Sequence, residues 1–182
     1  MSFNLAAQTF DIKSELIMRK LLENNTDWDI EFNENYENPY DYDLQYYRHV
    51  KDDSSCGYKK ELIGYIEVER YSRNDWVCGD LPAKWYEVSF LKRKIFKYNH
   101  VGASWTNEPK DNHDLTIYLK VNNDYTDCFC TPVETLVLFG EESKRSDGSY
   151  NDSFVILPRD SVYLTIGIDE CIRMIKGFHN SG

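Results

Sequence analysis

Glu61-Leu62-Ile63-Gly64-Tyr65-Ile66-Glu67-Val68-Glu69 is the most strand-like stretch of the chain, and its reading decides the fold. β-Branched and aromatic residues dominate it, as suits a pleated surface. Side chains alternate between the two faces of a strand, so Tyr65, Glu67 and Glu69 share one face while Ile66 and Val68 take the other. Two carboxylates therefore stand side by side on a strand whose apolar neighbours mark it as central. A central strand with an acidic face needs a chemical reason for it, because burying an unpaired charge is costly.

Working outward, Asp27 to Asn33 alternates Trp28, Ile30 and Phe32 with polar residues at period two, which predicts a half-buried strand. Tyr42 to Tyr47 predicts a second, and a hairpin between it and the Glu61 to Glu69 strand brings Asp43 beside Glu67. The polar stretch His49 to Lys60 reads as the loop of that hairpin, turned by Gly57. Before these strands, Ile12, Leu16, Ile17, Leu21 and Leu22 recur at helical spacing and predict a helix over Thr9 to Asn24. Downstream lie a loop from Arg70 to Lys84, a strand from Trp85 to Phe90 and a short helix within Leu91 to Tyr98. Strands follow at Asp114 to Val121 and Cys128 to Val137, then a polar insert near 140–152, an extended piece from Ser153 to Leu157 and a helix over Ile168 to Lys176. The expectation is one mixed α/β (α+β) domain over residues 1–182, with a central mixed sheet of about five strands flanked by helices and no repeat.

Composition bounds the function. The chain has 182 residues, 15% of them aromatic, with 21 basic against 31 acidic side chains and a formal net charge of −10. Such a chain is long enough for one well-buried core. A sequence pI of about 4.9 argues against a uniformly basic nucleic-acid binder. Charge is unevenly spread: Glu23 to Asp53 holds ten acids and two bases, whereas Lys84 to Tyr98 holds five bases and one acid. No apolar run nears the ~18 residues of a membrane span, and Met1 to Phe10 lacks the pattern of a secretory signal. Five scattered cysteines fit neither a disulfide framework nor paired zinc knuckles, so a cytoplasmic protein with no membrane partner is expected. The four histidines show no metal-ligand spacing, and neither a phosphate-cradling glycine loop nor a Gly-x-Ser-x-Gly elbow occurs.

Asp43, Glu67 and Glu69 around one point describe a hard-cation site, since Mg²⁺ prefers a few carboxylates plus water. From Asp43 to Leu157 the order of Gly64 to Glu69, Trp76, Leu81-Pro82, Arg93-Lys94 and Val121-Asn122 resembles the PD-(D/E)XK nuclease superfamily, in a small phage and bacterial branch with a Glu-x-Glu motif. That resemblance implies a restriction-endonuclease-like fold and Mg²⁺- or Mn²⁺-dependent hydrolysis of phosphodiester bonds in DNA or RNA. It matches Asp43 and Glu67 to the metal-binding acids, with Asp41 as the alternative to Asp43. Glu15 matches an acid that some members add to the metal shell. Glu69 stands where the family's catalytic lysine normally lies, which removes a cation that stabilises the reacting phosphate.

Glu69 is then a candidate second metal ligand or general base, and Lys94, with its neighbours Lys92 and Arg93, a candidate for the missing charge. Lys92, Arg93, Lys94 and Lys97 form the candidate nucleic-acid surface. The competing expectation is a catalytically silent relative, a phage effector or DNA mimic that binds a host protein through its acidic segment. A homodimer fits enzymes that cut both strands, although no residue in the sequence decides it.

Overall fold

The computed structural model describes residues 5–33, 41–54, 57–71, 75–76, 86–102, 104–144 and 153–179. The first helix, α1, spans Leu5–Asn25 and leads into the strands β1 (Asp29–Phe32), β2 (Leu44–Lys51) and β3 (Tyr58–Arg70). After β4 (Glu87–Leu91) comes a single 3₁₀ turn, Lys92–Lys94, then a hairpin of β5 (Phe96–Asn99) and β6 (Ser104–Pro109). A second 3₁₀ turn, His113–Leu115, opens β7 (Thr116–Val121), followed by β8 (Cys128–Pro132) and α2 (Val133–Phe139). The chain closes with β9 (Glu141–Lys144), β10 (Ser153–Pro158), β11 (Thr165–Ile166) and α3 (Ile168–His179).

The central sheet has six strands in the order β1-β2-β3-β7-β8-β11. β3 and β7 run parallel and their other neighbours antiparallel, so the sheet is mixed. One face packs Met18 and Leu22 of α1 and Cys171, Ile172 and Ile175 of α3 against Leu44, Tyr46, Ile66, Val68, Ile117 and Leu119. The other face carries Tyr118 and Phe129, which pack with Trp76, Val133 and Leu136 and with Val88, Phe90, Val155 and Leu157 of a second, three-stranded sheet, β4-β10-β9. The protein is thus a mixed α+β fold with helices on one side of the main sheet and a small sheet plus α2 on the other. Burying both faces is what lets β7 be closed to solvent at all six positions.

Gly64 is where β3 passes under the turn at His113–Leu115. A Cβ there would stand 2.3 Å from the Leu115 carbonyl oxygen, so only glycine permits the approach.

Several expectations change. The two ends of the polar stretch His49 to Lys60 are strand: β2 and β3 pair out to Lys51 and Tyr58, and an Asp52 N–H to Gly57 carbonyl bond closes the turn. Lys51, Lys59 and Lys60 are thus solvated strand residues, while Asp52 and Asp53 stay in a shorter loop than expected. The short helix expected within Leu91 to Tyr98 is only the 3₁₀ turn Lys92–Lys94, because Ile95 and Phe96 both insert into the second core and Phe96 to Asn99 pairs with β6. The strand predicted from Cys128 ends at Pro132, where a helical turn burying Val133 and Leu136 takes over. Part of the polar insert, Glu141–Lys144, pairs with β10, and its remainder, 145–152, lies outside the described residues. Leu81, Pro82 and Trp85 also lie outside them. Cys128, Cys130 and Cys171 are buried together, with the Cys128 and Cys171 sulfurs 3.0 Å apart and the thiols free.

Among the described residues no helix is long and apolar enough to cross a membrane.

Candidate functional site

The site forms where β2 enters the main sheet. Leu44 pairs with Ile66, so one step back along β2 Asp43 stands opposite Glu67. A buried asparagine holds that entry in place: Asn33 donates its side-chain amide to the Tyr42 carbonyl at 3.0 Å and its backbone N–H to the Asp43 carbonyl at 3.1 Å. The Asp43 carboxylate accepts the Val68 N–H at 2.7 Å, which fixes it against β3. Asp41, by contrast, uses its carboxylate on the Tyr42 N–H, so Asp43 is the aspartate brought to Glu67.

Lys94, on the 3₁₀ turn after β4, reaches across from the second layer. Its Nζ donates to Asp43 Oδ2 at 3.2 Å, to the Val68 carbonyl at 2.8 Å and to Glu67 Oε1. Three oxygens from three chain positions thus converge on one cation. The second Glu67 oxygen, Oε2, is buried with no hydrogen-bond partner among the described residues. Burial, and after it the neighbouring Asp43 charge, pushes the Glu67 carboxyl up to about 8, against the opposing pull of Lys94 and Lys110. Burial therefore favours the protonated form of Glu67 near neutral pH.

Lys110 is a second cation in this neighbourhood. It is buried, its Nζ lies 3.3 Å from the Asp41 carbonyl and 5.1 Å from the centre of the Tyr42 ring, and burial lowers its basicity. Its backbone N–H bonds to the Ile95 carbonyl, so Lys94 and Lys110 flank the base of the β5–β6 hairpin. The Tyr42 hydroxyl is held strongly un-ionised, first by burial.

Glu69 lies two residues along and belongs to a different network. Oε1 accepts from Lys120 Nζ at 2.6 Å; Oε2 accepts from the Tyr118 hydroxyl and from the Leu91 N–H, the latter at 3.1 Å. Lys120 also donates to the Ser89 carbonyl. Lys120 is the register partner of Glu69 on β7, which explains the pairing. Burial beside the Glu69 and Glu67 charges holds the Tyr118 hydroxyl well above its usual range.

The remaining sequence candidates are dispersed. Glu15 is buried on α1, and no group of three or more acidic, histidine or cysteine side chains able to hold a metal occurs among the described residues. Glu15 therefore does not complete a shell with Asp43 and Glu67, and the expected cluster of three acids reduces to two. Lys92 is not on a phosphate-facing surface: it is buried, bonds to Asn107 at 2.8 Å and pairs with Glu142 at 2.9 Å. Lys97 pairs with Glu108 and Asp111, and Arg93 is exposed. The basic run is thus spent on three different tasks, because a 3₁₀ turn and a strand point successive residues in different directions.

Sequence reasoning missed Lys110, Lys120 and Asn33. Lys120 carried a signal, as a lone lysine in the apolar run Ile117 to Val121 needs a buried acid. Nothing local distinguishes Lys110 or Asn33.

The half-buried Asp43 carboxylate, the buried Glu67 carboxylate, whose Oε2 has no hydrogen-bond partner among the described residues, and the Val68 carbonyl form an all-oxygen donor set of the kind a hard divalent cation takes, which commonly has only one or two carboxylates and completes its shell with water. No family model and no curated protein matches the chain. Among solved structures, a nuclease from a fusselovirus superposes with a TM-score of 0.46 at 13% sequence identity, over 100% of this chain and 96% of that one.

Proposed function

We propose that the protein is a divalent-metal-dependent nuclease of the PD-(D/E)XK type, with Asp43, Glu67 and the Val68 carbonyl holding Mg²⁺ or Mn²⁺ and Lys94 as the catalytic cation. The observation that carries this reading is the meeting of one lysine ammonium with three oxygens of a hard-cation donor set beside a buried carboxylate oxygen that has no partner among the described residues. When bound, the metal supplies a Lewis acid for a phosphate oxygen and a lowered pKa for water.

The chain's own residues supply the rest. Asp43 is locked by the Val68 N–H, and Glu67 by its strand, so both acids are fixed before any ligand arrives. With a cation on the donor set Glu67 would be ionised, and the Lys94 ammonium, released from those oxygens, would serve the negative charge that develops on the phosphate, the task a lysine at position 69 performs in the family. Lys110, beneath Tyr42, adds positive potential without facing solvent. Nucleic acid is the substrate this chemistry implies, bound with strong dependence on salt and on the metal because the chain is acidic overall.

A second reading has its own observation. The Lys94 ammonium already satisfies three oxygens of the donor set, so the same geometry suits a silent relative in which lysine has replaced the metal and the fold serves binding to a host protein.

Thermal unfolding with Mn²⁺ separates the two. The nuclease reading expects a rise in Tm at millimolar Mn²⁺, equivalent to ~2.7 kcal/mol at a hundredfold excess over Kd. It also expects metal-dependent cleavage of single-stranded or duplex DNA or of RNA. Glu67→Ala should remove both. A wild-type protein that shows neither shift nor cleavage belongs to the silent class.

A further inference from the structure

The geometry points to Glu69 as a positioning residue: it works as the anchor that holds Lys94 against Asp43 and Glu67, and it does so through the backbone N–H of Leu91. Both carboxylate oxygens of Glu69 are engaged away from the Lys94 cluster, one by Lys120 and the other by Tyr118 and Leu91. It therefore has no oxygen directed at Asp43 and Glu67, although it sits only two residues from Glu67 on the same strand face.

What Glu69 does reach is the last residue before the lysine turn. Leu91 ends β4 and precedes the 3₁₀ turn Lys92–Lys94, and its N–H bonds to the buried Glu69 carboxylate at 3.1 Å, with the Tyr118 hydroxyl as a longer second acceptor at 3.3 Å. Lys120 extends the same contact to the Ser89 carbonyl, two residues earlier. A single buried ion pair on the central sheet thereby grips the end of β4 at two backbone points. From Leu91 to Lys94 is less than one turn and a half of tight helix, too short to absorb much slack, so fixing Leu91 fixes where the Lys94 side chain begins. The turn is also held at its first residue, by Lys92 on Asn107 and Glu142, and at its exit, by the Lys110 N–H on the Ile95 carbonyl.

The placement explains why an acid stands at position 69. Its charge is matched by Lys120 rather than by a metal, and its acceptor oxygen does for the second layer what no lysine could, since an ammonium cannot accept the Leu91 N–H. The anchor stands on geometry alone; only its consequence for cleavage rests on the nuclease reading.

Two double variants isolate the acceptor. Glu69→Gln with Lys120→Met keeps an oxygen for Leu91 and leaves no buried charge; Glu69→Leu with Lys120→Met removes the oxygen and likewise leaves no charge. The reactivity of Lys94 toward an acetylating N-hydroxysuccinimide ester, followed by mass spectrometry with exposed Lys60 as internal reference, is measured well below each variant's Tm.

Wild type and the glutamine variant should label Lys94 at the same slow rate, and the leucine variant about tenfold faster. Tyr118→Phe, a small change that keeps the fold if the leucine variant loses it, removes the neighbouring hydroxyl and should leave Lys94 protected. Equal Lys94 labelling in the leucine variant and wild type overturns the anchor. So does labelling in the glutamine variant as fast as in the leucine one, or a gain in Tyr118→Phe. The readout needs neither metal nor nucleic acid, so a failure of cleavage leaves it standing, and unchanged labelling in an active nuclease sinks the anchor alone.

Discussion

The two halves of β3 carry similar residues and use them in opposite ways. In the outer half, Lys60 meets Asp29 and Glu31, and Glu61 meets Arg48, with all five side chains about half exposed. In the inner half, Glu67 meets Lys94 and Glu69 meets Lys120, with exposures of 1% and 15% for the first pair and 9% and 4% for the second. Water screens the outer pairs and makes each nearly dispensable. In the inner half the pairs are shut away from water, so losing one member leaves a buried charge that its remaining hydrogen bonds do not neutralise. Ion pairs on one strand thus serve solubility at one end and geometry at the other, and the difference lies in what covers them.

The largest break in that comparison should come from Lys120→Met. Glu69 would be left as a buried carboxylate without its cation, and denaturant unfolding should show a loss of ~3–5 kcal/mol. A loss under about 1 kcal/mol would mean that the inner pairs are screened like the outer ones.

Next comes the pH dependence of Glu67. Its folded-state carboxyl is raised to about 8 from an ordinary 4.5, so the native state binds the extra proton and stability falls as pH rises between those values. The slope for one such proton is roughly 1.4 kcal/mol per pH unit. Glu67→Gln mimics the protonated acid and should lack this slope, becoming the more stable protein above neutrality in urea titrations at pH 6, 7 and 8. Parallel curves would contradict the raised carboxyl. If the donor set takes Mn²⁺, its affinity should climb over the same range, because binding displaces that proton.

Gly64 marks the boundary between the halves. Gly64→Val forces a Cβ into the Leu115 carbonyl and should cost about 1–3 kcal/mol, read from the urea midpoint. A tolerated valine would show that the turn over β3 gives way easily.

The smallest effect belongs to Arg48→Ala, which breaks an exposed pair and should change stability by no more than ~1 kcal/mol. Added salt should shrink even that difference.

Much of this was legible from residues alone. The period-two pattern around Ile66 and Val68 identified the central strand, and counting back along a hairpin from Glu67 reached Asp43. The helices expected over Thr9 to Asn24, from apolar residues such as Leu16 and Leu22 at helical spacing, and over Ile168 to Lys176 both form, each somewhat longer than expected. The basic segment misled because Leu91 to Tyr98 has helix-like apolar spacing, while Ile95 and Phe96 are drawn into a core made by distant strands. Glu15 rested on the resemblance alone, and on α1 it is buried without joining Asp43 and Glu67 in a group of three acids among the described residues.

By itself, the sequence determined the main strands, their hairpin and the placing of two acids on one face, since these follow from alternation and from local pairing. Tertiary structure alone decided which acid met which lysine. Glu67 and Lys94 are 27 residues apart and Glu69 and Lys120 are 51, and each pair forms only because β4 folds over the sheet and β7 lies parallel to β3. Long-range charge pairing of that kind leaves no periodic trace, because it depends on burial that many distant residues create together.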